Sequence, residues 1–285
     1  MIFSIVIPTY NRSELLEKTV KSILSQNFES FEVIVVDDGS TDSTMMFVHD
    51  MQVKDKKIRY IYQKNSGASS ARNTGLLSAR GEIVVYLDSD DTVEETFLSE
   101  IKMAFEKQAH GYFGTVNQVR HIVLVDESLH ILEEHAPEVL CSQAPTLQDY
   151  YHWKVKTTSS GLFHKRNFVQ KKIFWDKNLS YIEDWDFLLQ LGKEKPDGFI
   201  FVEKPLVYYT QRYGTKEGMC SNARYGDWAS AFDIVYQKHK EDSLMEGQNW
   251  WPERVEKYKR LQKLVDQGKE KPAKYKYFPE YQEKM

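Results

Sequence analysis

Two carboxylates stand one residue apart in Asp88-Ser89-Asp90-Asp91, directly after the apolar run Glu82-Ile83-Val84-Val85-Tyr86-Leu87. Hard oxygen ligands of this kind suit Mg²⁺ or Mn²⁺, which are usually held by one or two carboxylates together with substrate phosphates. An ion so placed would neutralise a diphosphate leaving group as its bond to a sugar breaks. A D-x-D pair is common, and the plainer reading is a polar turn in which Asp91 or Thr92 caps the next helix.

Other candidate groups share the same kind of position. Asp37-Asp38-Gly39-Ser40-Thr41-Asp42 follows a second apolar run, and a carboxylate there accepts the N3–H of a uracil. Asp, Gly, Ser and Thr also favour turns and N-caps, so Asp38 is expected to read the base and Ser40 or Asp42 to cap. In Pro8-Thr9-Tyr10-Asn11-Arg12 the ring of Tyr10 could stack on the base or pack as a strand-end aromatic. Arg72 lies near the amino end of a helix, where guanidinium and dipole both favour phosphate, although an exposed helical Arg is more often only solvated.

Elements of alternating period must carry these groups. Ile2-Phe3-Ser4-Ile5-Val6-Ile7 reads as a buried strand. Asn11 precedes Glu14 by three positions as in a capping box, with Leu16, Val20, Ile23 and Leu24 at helical spacing. Phe31–Val36 is a second strand with a helix from about Ser43. Ile58–Tyr62 is a third, followed by Asn65-Ser66-Gly67 and a helix over Ala68–Ala79. Glu82–Leu87 is the fourth. Alternation of this sort argues for a mostly parallel sheet covered by helices, an α/β fold whose ligand crevice lies beyond the carboxyl ends of the strands. Thr9, Tyr10, Asn11, Asp37, Asp38, Gln63, Asn65, Asp88 and Asp90 all sit at those ends.

The middle is less regular. Tyr112–Val125 reads as strand, Glu133–Ser142 as loop, and Thr157–Phe163 as a strand with a small-residue turn. Asp184-Trp185-Asp186 opens a helix with acids in its first turn, where the dipole favours them. Phe201–Tyr209 is a last strand or strand pair. The expected division is a catalytic domain over 1–225, with a nucleotide-binding half (1–100) and an acceptor-side half (101–225), and a C-terminal helical extension over 226–285. From Glu253 to Phe278 nine Lys/Arg face four Asp/Glu, 9 − 4 = +5, interleaved with aromatic rings. That stretch could lie on anionic lipid, a peripheral membrane contact, or pack as a helix with a solvated basic face; the mixed acids and the missing apolar stripe favour packing.

A formal net charge of −4 over 285 residues points to no nucleic-acid partner. Two distant cysteines, Cys141 and Cys220, exclude a disulfide framework and fit a reducing compartment. The apolar start lacks a basic leader, and no run approaches the roughly 20 residues of a membrane helix, so a cytoplasmic chain is expected.

At these residues the sequence resembles a family. Ile5-Val6-Ile7-Pro8-Thr9-Tyr10-Asn11, Val35-Val36-Asp37-Asp38-Gly39-Ser40-Thr41-Asp42, Asn65-x-Gly67-x-x-x-Ala71-Arg72-Asn73-x-Gly75 and Tyr86-Leu87-Asp88-Ser89-Asp90-Asp91 are similar, in order and spacing, to the signatures of the family 2 glycosyltransferases with the GT-A fold. The four cover the N-terminal third. The resemblance implies a nucleotide-sugar donor, most simply UDP-linked, with Pro8, Thr9, Tyr10, Asn11, Asp38, Arg72, Asp88 and Ser89 around it. It implies Asp90 as principal ligand of Mn²⁺ or Mg²⁺, with Asp88 supporting donor and metal. Downstream, Ser160-Gly161-Leu162-Phe163 and Glu183-Asp184-Trp185-Asp186 are similar to the acceptor-side segment and its Glu-Asp pair. This implies Asp184 as general base with Glu183 beside it; helix-capping acids are the plainer alternative. A positioned base contributes ~10²–10⁴-fold to attack by a sugar hydroxyl. One base opposite a metal-held leaving group implies a single displacement with inversion.

There are departures. Arg212 stands where many relatives carry a histidine near metal or diphosphate; it could bind diphosphate but not ligate a metal. The Gly-Phe-Asp-Glu run before the base is approached only distantly by Ile173-Phe174-Trp175-Asp176. The Gln-x-x-Arg-Trp signature of processive synthases and their membrane helices are absent, so one sugar is expected to be added at a time, to a glycan or lipid-linked acceptor, in polysaccharide biosynthesis. A phosphatase of the dehalogenase type would carry D-x-D after its first strand. A pyrophosphorylase or a dehydrogenase would carry a glycine-rich loop there. The alternative from another class is a catalytically impaired sugar-nucleotide-binding protein, against which both Asp90 and Asp184 speak.

Overall fold

The computed structural model describes residues 1–125, 131–134, 137–155, 158–169, 172–213, 224–242, 245 and 250–269. They fall into two compact units, one of 1–121, 137–177 and 183–210, the other of 122–136, 178–182 and 211–285.

In the first unit the apolar runs form parallel strands β1 (Phe3–Thr9), β2 (Phe31–Asp37), β3 (Ile58–Tyr62) and β4 (Ile83–Tyr86), ordered β3-β2-β1-β4. Every residue of β1 and β2 is buried, which is why they read as continuous apolar runs and not as alternation. Helices α1 (Ser13–Leu24), α2 (Thr44–Lys54) and α3 (Ala68–Ser78) make the crossovers. Leu16, Val20 and Ile23 of α1 are buried against this core, each worth about 1.5–3 kcal/mol of transfer free energy.

Beyond β4 the sheet is mixed. Short β5 (Thr92–Val93) leads to α4 (Phe97–Lys107), a helix not foreseen although Phe97, Leu98 and Ile101 give it a buried face. Then come β6 (Phe113–Val125), β7 (Ile131–Glu134), β8 (Glu138–Val139), α5 (Leu147–Tyr151), β9 (Leu162–Lys165), α6 (Arg166–Val169), α7 (Glu183–Glu194) and β10 (Phe199–Tyr213). β9 pairs antiparallel with β4 and β6, and β5 with β10, so the order runs β3-β2-β1-β4-β9-β6-β10-β5. The fold class is the α/β class expected, with β1 to β4 paired in parallel and β9 and β5 antiparallel to their neighbours. The stretch expected as a loop, Glu133–Ser142, holds β8 and the end of β7, strands too short to show a period.

Two capping expectations are corrected. Asn11 makes no box with Glu14: α1 starts after Arg12 without a side-chain cap. Asn11 instead takes φ +51, donates its N–H to Ser40 Oγ at 2.9 Å and accepts Thr41 N–H at 2.7 Å. An Asn tolerates that left-handed conformation because its short side chain bonds nearby backbone. Nor do Asp91 and Thr92 cap a helix. Thr92 is in β5, and Asp91 accepts the hydroxyl of Ser160.

In the second unit, helices Tyr225–His239 and Trp250–Asp266 pack on each other through rings. Phe232 lies flat on Tyr258 at 5.7 Å and meets the edge of buried Trp251 at 5.7 Å. Arg254 lies over Phe232 and Trp250, a cation held by aromatic faces. Tyr275, Tyr277 and Phe278 of the basic segment, and Cys220, fall outside the described residues. Among the described residues no helix is long and apolar enough to cross a membrane.

Candidate active site

Three crossover loops meet at the carboxyl ends of β1, β2 and β3. Asp38 N–H donates to Thr9 O at 2.9 Å and Gln63 N–H to Asp37 O at 2.9 Å, which locks the loops side by side. Asp38 is buried, and its carboxylate accepts Ser66 N–H (2.9 Å), Gly67 N–H (2.7 Å) and the Gln63 amide (2.7 Å). It therefore orders the turn into α3 as well as standing at the expected base site. Asp37 turns inward to Ser40 N–H and the Tyr60 hydroxyl, at 2.8 and 2.6 Å. Gly39 at φ +85 is required twice over, because a Cβ there would meet Asn65 N at 2.8 Å. Asp42 does not supply the cap of α2, whose N-cap Ser43 makes no side-chain cap bond; it stands one residue earlier and accepts Thr44 N–H and Ser13 N–H.

Pro8 and Thr9 close β1, both buried; Thr9 Oγ1 finds no hydrogen-bond partner among the described residues. Tyr10 beside it is 47% exposed, so its ring is not packed as a strand-end aromatic. Ser89 is buried.

Arg72 departs furthest from a solvated helical cation. It is 2% exposed and donates to Asp88 Oδ1 at 2.8 Å, to Ser159 Oγ at 2.9 Å and to Glu183 Oε1 at 3.1 Å. Its guanidinium carbon stands 4.6 Å from the ring centre of Trp175, which is itself stacked on Phe187. Asn73 grips the Trp175 backbone in both directions, at 2.8 and 2.9 Å. The segment Ile173–Asp176, only distantly like its family counterpart, is thus tied to the Ala71-Arg72-Asn73 run. Although burial opposes the charge, Asp88 and Glu183 raise the Arg72 pKa still further.

The D-x-D carboxylates divide between two cations. The second oxygen of Asp88 accepts the Ser159 hydroxyl at 2.5 Å, while its N–H donates to Ser160 Oγ. Burial works against ionised Asp88, yet Arg72 and the Ser159 hydroxyl hold its pKa below the usual carboxylate range. Asp90, about one-fifth exposed, accepts Arg12 Nη1 at 2.9 Å. Among the described residues no cluster of three or more His, Cys, Asp or Glu offers a complete metal cage. The donor set fits instead a hard cation held by Asp90 on the rim, with Asp88 behind it and most of the shell supplied by phosphate and water. The Arg12–Asp90 pair shows that this carboxylate already carries a compensating positive charge.

Glu183 and Asp184 open α7. The preceding residue, Ile182, has φ +55, an outlier for a β-branched side chain that costs of order 1–3 kcal/mol. Burial, then the charge of Glu183, pushes the Asp184 pKa up to about 8; its Oδ1 also accepts Trp185 N–H at 2.8 Å. Glu183 is raised too, first by burial, against the pull of Arg72. An acid at about 8 is a far stronger proton acceptor once ionised than an ordinary aspartate.

The family model for glycosyl transferase family 2 matches residues 4–168, more than half of the chain. The chain belongs to glycosyl transferase family 2. Curated relatives include an uncharacterized glycosyltransferase, EpsJ, of Bacillus subtilis, 27% identical over 200 residues, 68% of this chain and 56% of that one. Another is a Campylobacter jejuni GalNAc(5)-diNAcBac-PP-undecaprenol beta-1,3-glucosyltransferase, 40% identical over 111 residues, 38% of this chain and 35% of that one. The chain thus spans about half, or less, of the length of these two relatives. Among solved structures, S. aureus TarS 1-349 in complex with UDP-GlcNAc superposes with a TM-score of 0.66 at 22% identity, covering 93% of this chain and 73% of that one. This last likeness shows the fold.

In this family 2 member the structure gathers Asp88 and Glu183 around one cation, Arg72, with Asp184 next to Glu183 and Asp90 next but one to Asp88. Pro8, Thr9, Tyr10, Asn11 and Asp38 gather on the neighbouring loops. The side chain of Arg212, expected at the diphosphate, lies outside those described. Sequence reasoning passed over Arg12, Ser159, Trp175 and Asn73 as partners. Asn73 stood in the quoted motif and Ser159 beside the quoted Ser160, but nothing local tied either to Arg72.

Proposed function

We propose that the chain carries the catalytic unit of an inverting glycosyltransferase that moves one sugar from a nucleotide-sugar, most simply UDP-linked, to a hydroxyl of a glycan or lipid-linked acceptor. The observation that carries this reading is the buried cation Arg72 between Asp88 and Glu183, with Asp184 raised to about 8 alongside. Asp38 and the exposed ring of Tyr10 bind and orient the base, with Pro8, Thr9, Asn11 and Ser89 shaping the pocket around the donor. Asp90, backed by Asp88, would hold Mn²⁺ or Mg²⁺. When bound, that ion supplies neutralisation of the charge that grows on the diphosphate.

Asp184, once ionised, takes the proton of the acceptor hydroxyl onto a carboxylate oxygen. The hydroxyl oxygen attacks the anomeric carbon opposite the departing diphosphate, and an α-linked donor gives a β-linked product. Arg72 opposes the burial that raises Glu183 beside the base, and burial together with the Glu183 charge keeps Asp184 basic. The expected cytoplasmic setting, and the extension over 226–285 as an element separate from a catalytic 1–225, belong to this proposal. The Arg254 side chain over Phe232 and Trp250 favours packing over lipid for at least one basic residue of that extension.

With UDP-sugars and Mn²⁺ the protein should release UDP, slowly to water and faster with an acceptor. Asp184→Asn should keep UDP binding and lose transfer; Asp90→Ala should weaken metal-dependent binding. Wild-type transfer by Asp184→Asn would overturn the base. A thermal-shift panel of nucleotide-sugars with and without Mn²⁺ reads the donor, since a ligand of the native state raises apparent stability by mass action. Donor binding with no transfer to any acceptor would favour a non-catalytic binding protein.

A further inference from the structure

Trp153 occupies a backbone position made for glycine. The one-turn helix α5 begins with a reciprocal box, Thr146 N–H to Asp149 Oδ2 at 2.9 Å and Asp149 N–H to Thr146 Oγ1 at 3.3 Å. It ends with Trp153 N–H bonded to Tyr150 O at 3.0 Å and Lys154 N–H to Asp149 O at 2.9 Å. That pair of bonds is the Schellman arrangement, whose left-handed residue is usually Gly and sometimes Asn. Here it is Trp153, at φ +55. A bulky side chain in that conformation is a genuine outlier, so what the indole does must offset the backbone cost.

The indole meets Trp185 at a tilt of 52°, with ring centres 3.8 Å apart. Trp185 is 2% exposed and follows Asp184 directly, its N–H bonded to the Asp184 carboxylate. Trp153 is half-buried and keeps part of its surface in water. The strained turn thus sets an aromatic ring against the residue that follows Asp184. The donor loops after β1, β2 and β3 lie on other segments. Indole suits a pyranose well. Its electron-rich face attracts the slightly positive C–H face of the ring, while the sugar hydroxyls at the rim stay available to water or to a carboxylate.

We propose that Trp153 is the platform on which the acceptor's pyranose ring stacks, setting one hydroxyl toward Asp184. The inference rests on the reading of Asp184 as the base, and it specifies the acceptor as a sugar presenting a ring face and not a simple alcohol or a bare lipid phosphate.

Trp153→Gly is the decisive variant, because glycine relieves the backbone while removing the ring; Trp153→Phe returns an aromatic face. Acceptor KM is measured over a panel of p-nitrophenyl pyranosides with UDP-sugar and Mn²⁺, and UDP affinity by calorimetry. Trp153→Gly should raise the KM for the accepted pyranoside about tenfold, equivalent to about 1.4 kcal/mol. UDP affinity should be unchanged, and Trp153→Phe should recover most of the loss. An unchanged acceptor KM, or an equal loss of UDP affinity, would overturn the proposal. Should the wild-type protein turn over no donor, the function reading fails and not this one. Saturation-transfer NMR with methyl pyranosides then decides: signal in the wild type that is lost in Trp153→Gly supports the platform, and no signal in the wild type removes it.

Discussion

Arg72 and Glu183, 111 residues apart in the chain, meet in a buried ion pair at 3.1 Å. The same guanidinium holds Asp88, so α3, the end of β4 and the start of α7 are joined through one cation. Buried ion pairs seldom add net stability, yet removing one partner is severe because the other charge stays behind in a low dielectric.

Arg72→Met should therefore destabilise by about 3–5 kcal/mol, leaving both Asp88 and Glu183 uncompensated. Arg72→Lys should rescue little, since a compact ammonium cannot span two carboxylates and Ser159 as a planar fork does. Urea denaturation reads both; a loss below about 1 kcal/mol in Arg72→Met would contradict the pairing.

Asp184 gives a pH signature. Its folded pKa, about 8, lies above the unfolded value of 3.8, so between those values the native state binds more protons than the unfolded one. Stability contributed by this group is thus greatest at low pH and declines as pH rises toward 8. Asp184→Asn removes that decline: its melting temperature relative to wild type should increase from pH 5 to pH 8, by about 2–4 °C for each kcal/mol recovered. In the wild type, transfer should rise with pH along a limb near 8, as the base ionises. A flat rate between pH 6.5 and 9 would count against Asp184 as proton acceptor.

Gly39 and Gly67 both have positive φ, +85 and +89, but differ in their surroundings. An added Cβ at Gly39 meets the backbone of Asn65 at 2.8 Å, whereas at Gly67 nothing lies within 4 Å. Gly67→Ala should cost about 1 kcal/mol from conformation alone. Gly39→Ala adds a steric clash, so it should cost clearly more and should also weaken UDP binding by displacing the Asn65–Gly67 turn. Equal losses in thermal melts would refute the distinction.

Asp38→Asn tests the double duty of that carboxylate. An amide has one acceptor oxygen, so it cannot serve Gln63, Ser66 N–H and Gly67 N–H together. Stability should fall by about 1 kcal/mol, as for a lost helix cap, and uridine nucleotide affinity should fall with it. Loss of stability with unchanged UDP affinity in calorimetry would leave Asp38 a capping residue only.

The local grammar of this chain was legible in its residues. The runs Ile2–Ile7, Phe31–Val36, Ile58–Tyr62 and Glu82–Leu87 became β1 to β4 within a residue or two; in β1, β2 and β4 a buried strand demands apolar side chains on both faces, whereas β3, at the sheet edge, is mostly half-buried. Turn chemistry after each strand marked the rim where Asp38 and Asp88 stand. Expectations tied to one short contact fared less well: the Asn11–Glu14 box was displaced once Ser40 and Thr41 came within reach of Asn11. The helix Phe97–Lys107 was overlooked although its apolar spacing was present.

Periodicity and turn preference are short-range, acting within a few residues, and so the sequence by itself determined β1 to β4, the crossovers between them and the family. Which cation Asp88 faces, whether Arg72 is solvated or sealed, and how basic Asp184 becomes were decided only by the tertiary structure. A charge takes its partner and its pKa from the groups and the water around it. Here those groups, Ser159, Trp175 and Glu183, come from segments 87 to 111 residues away from Arg72.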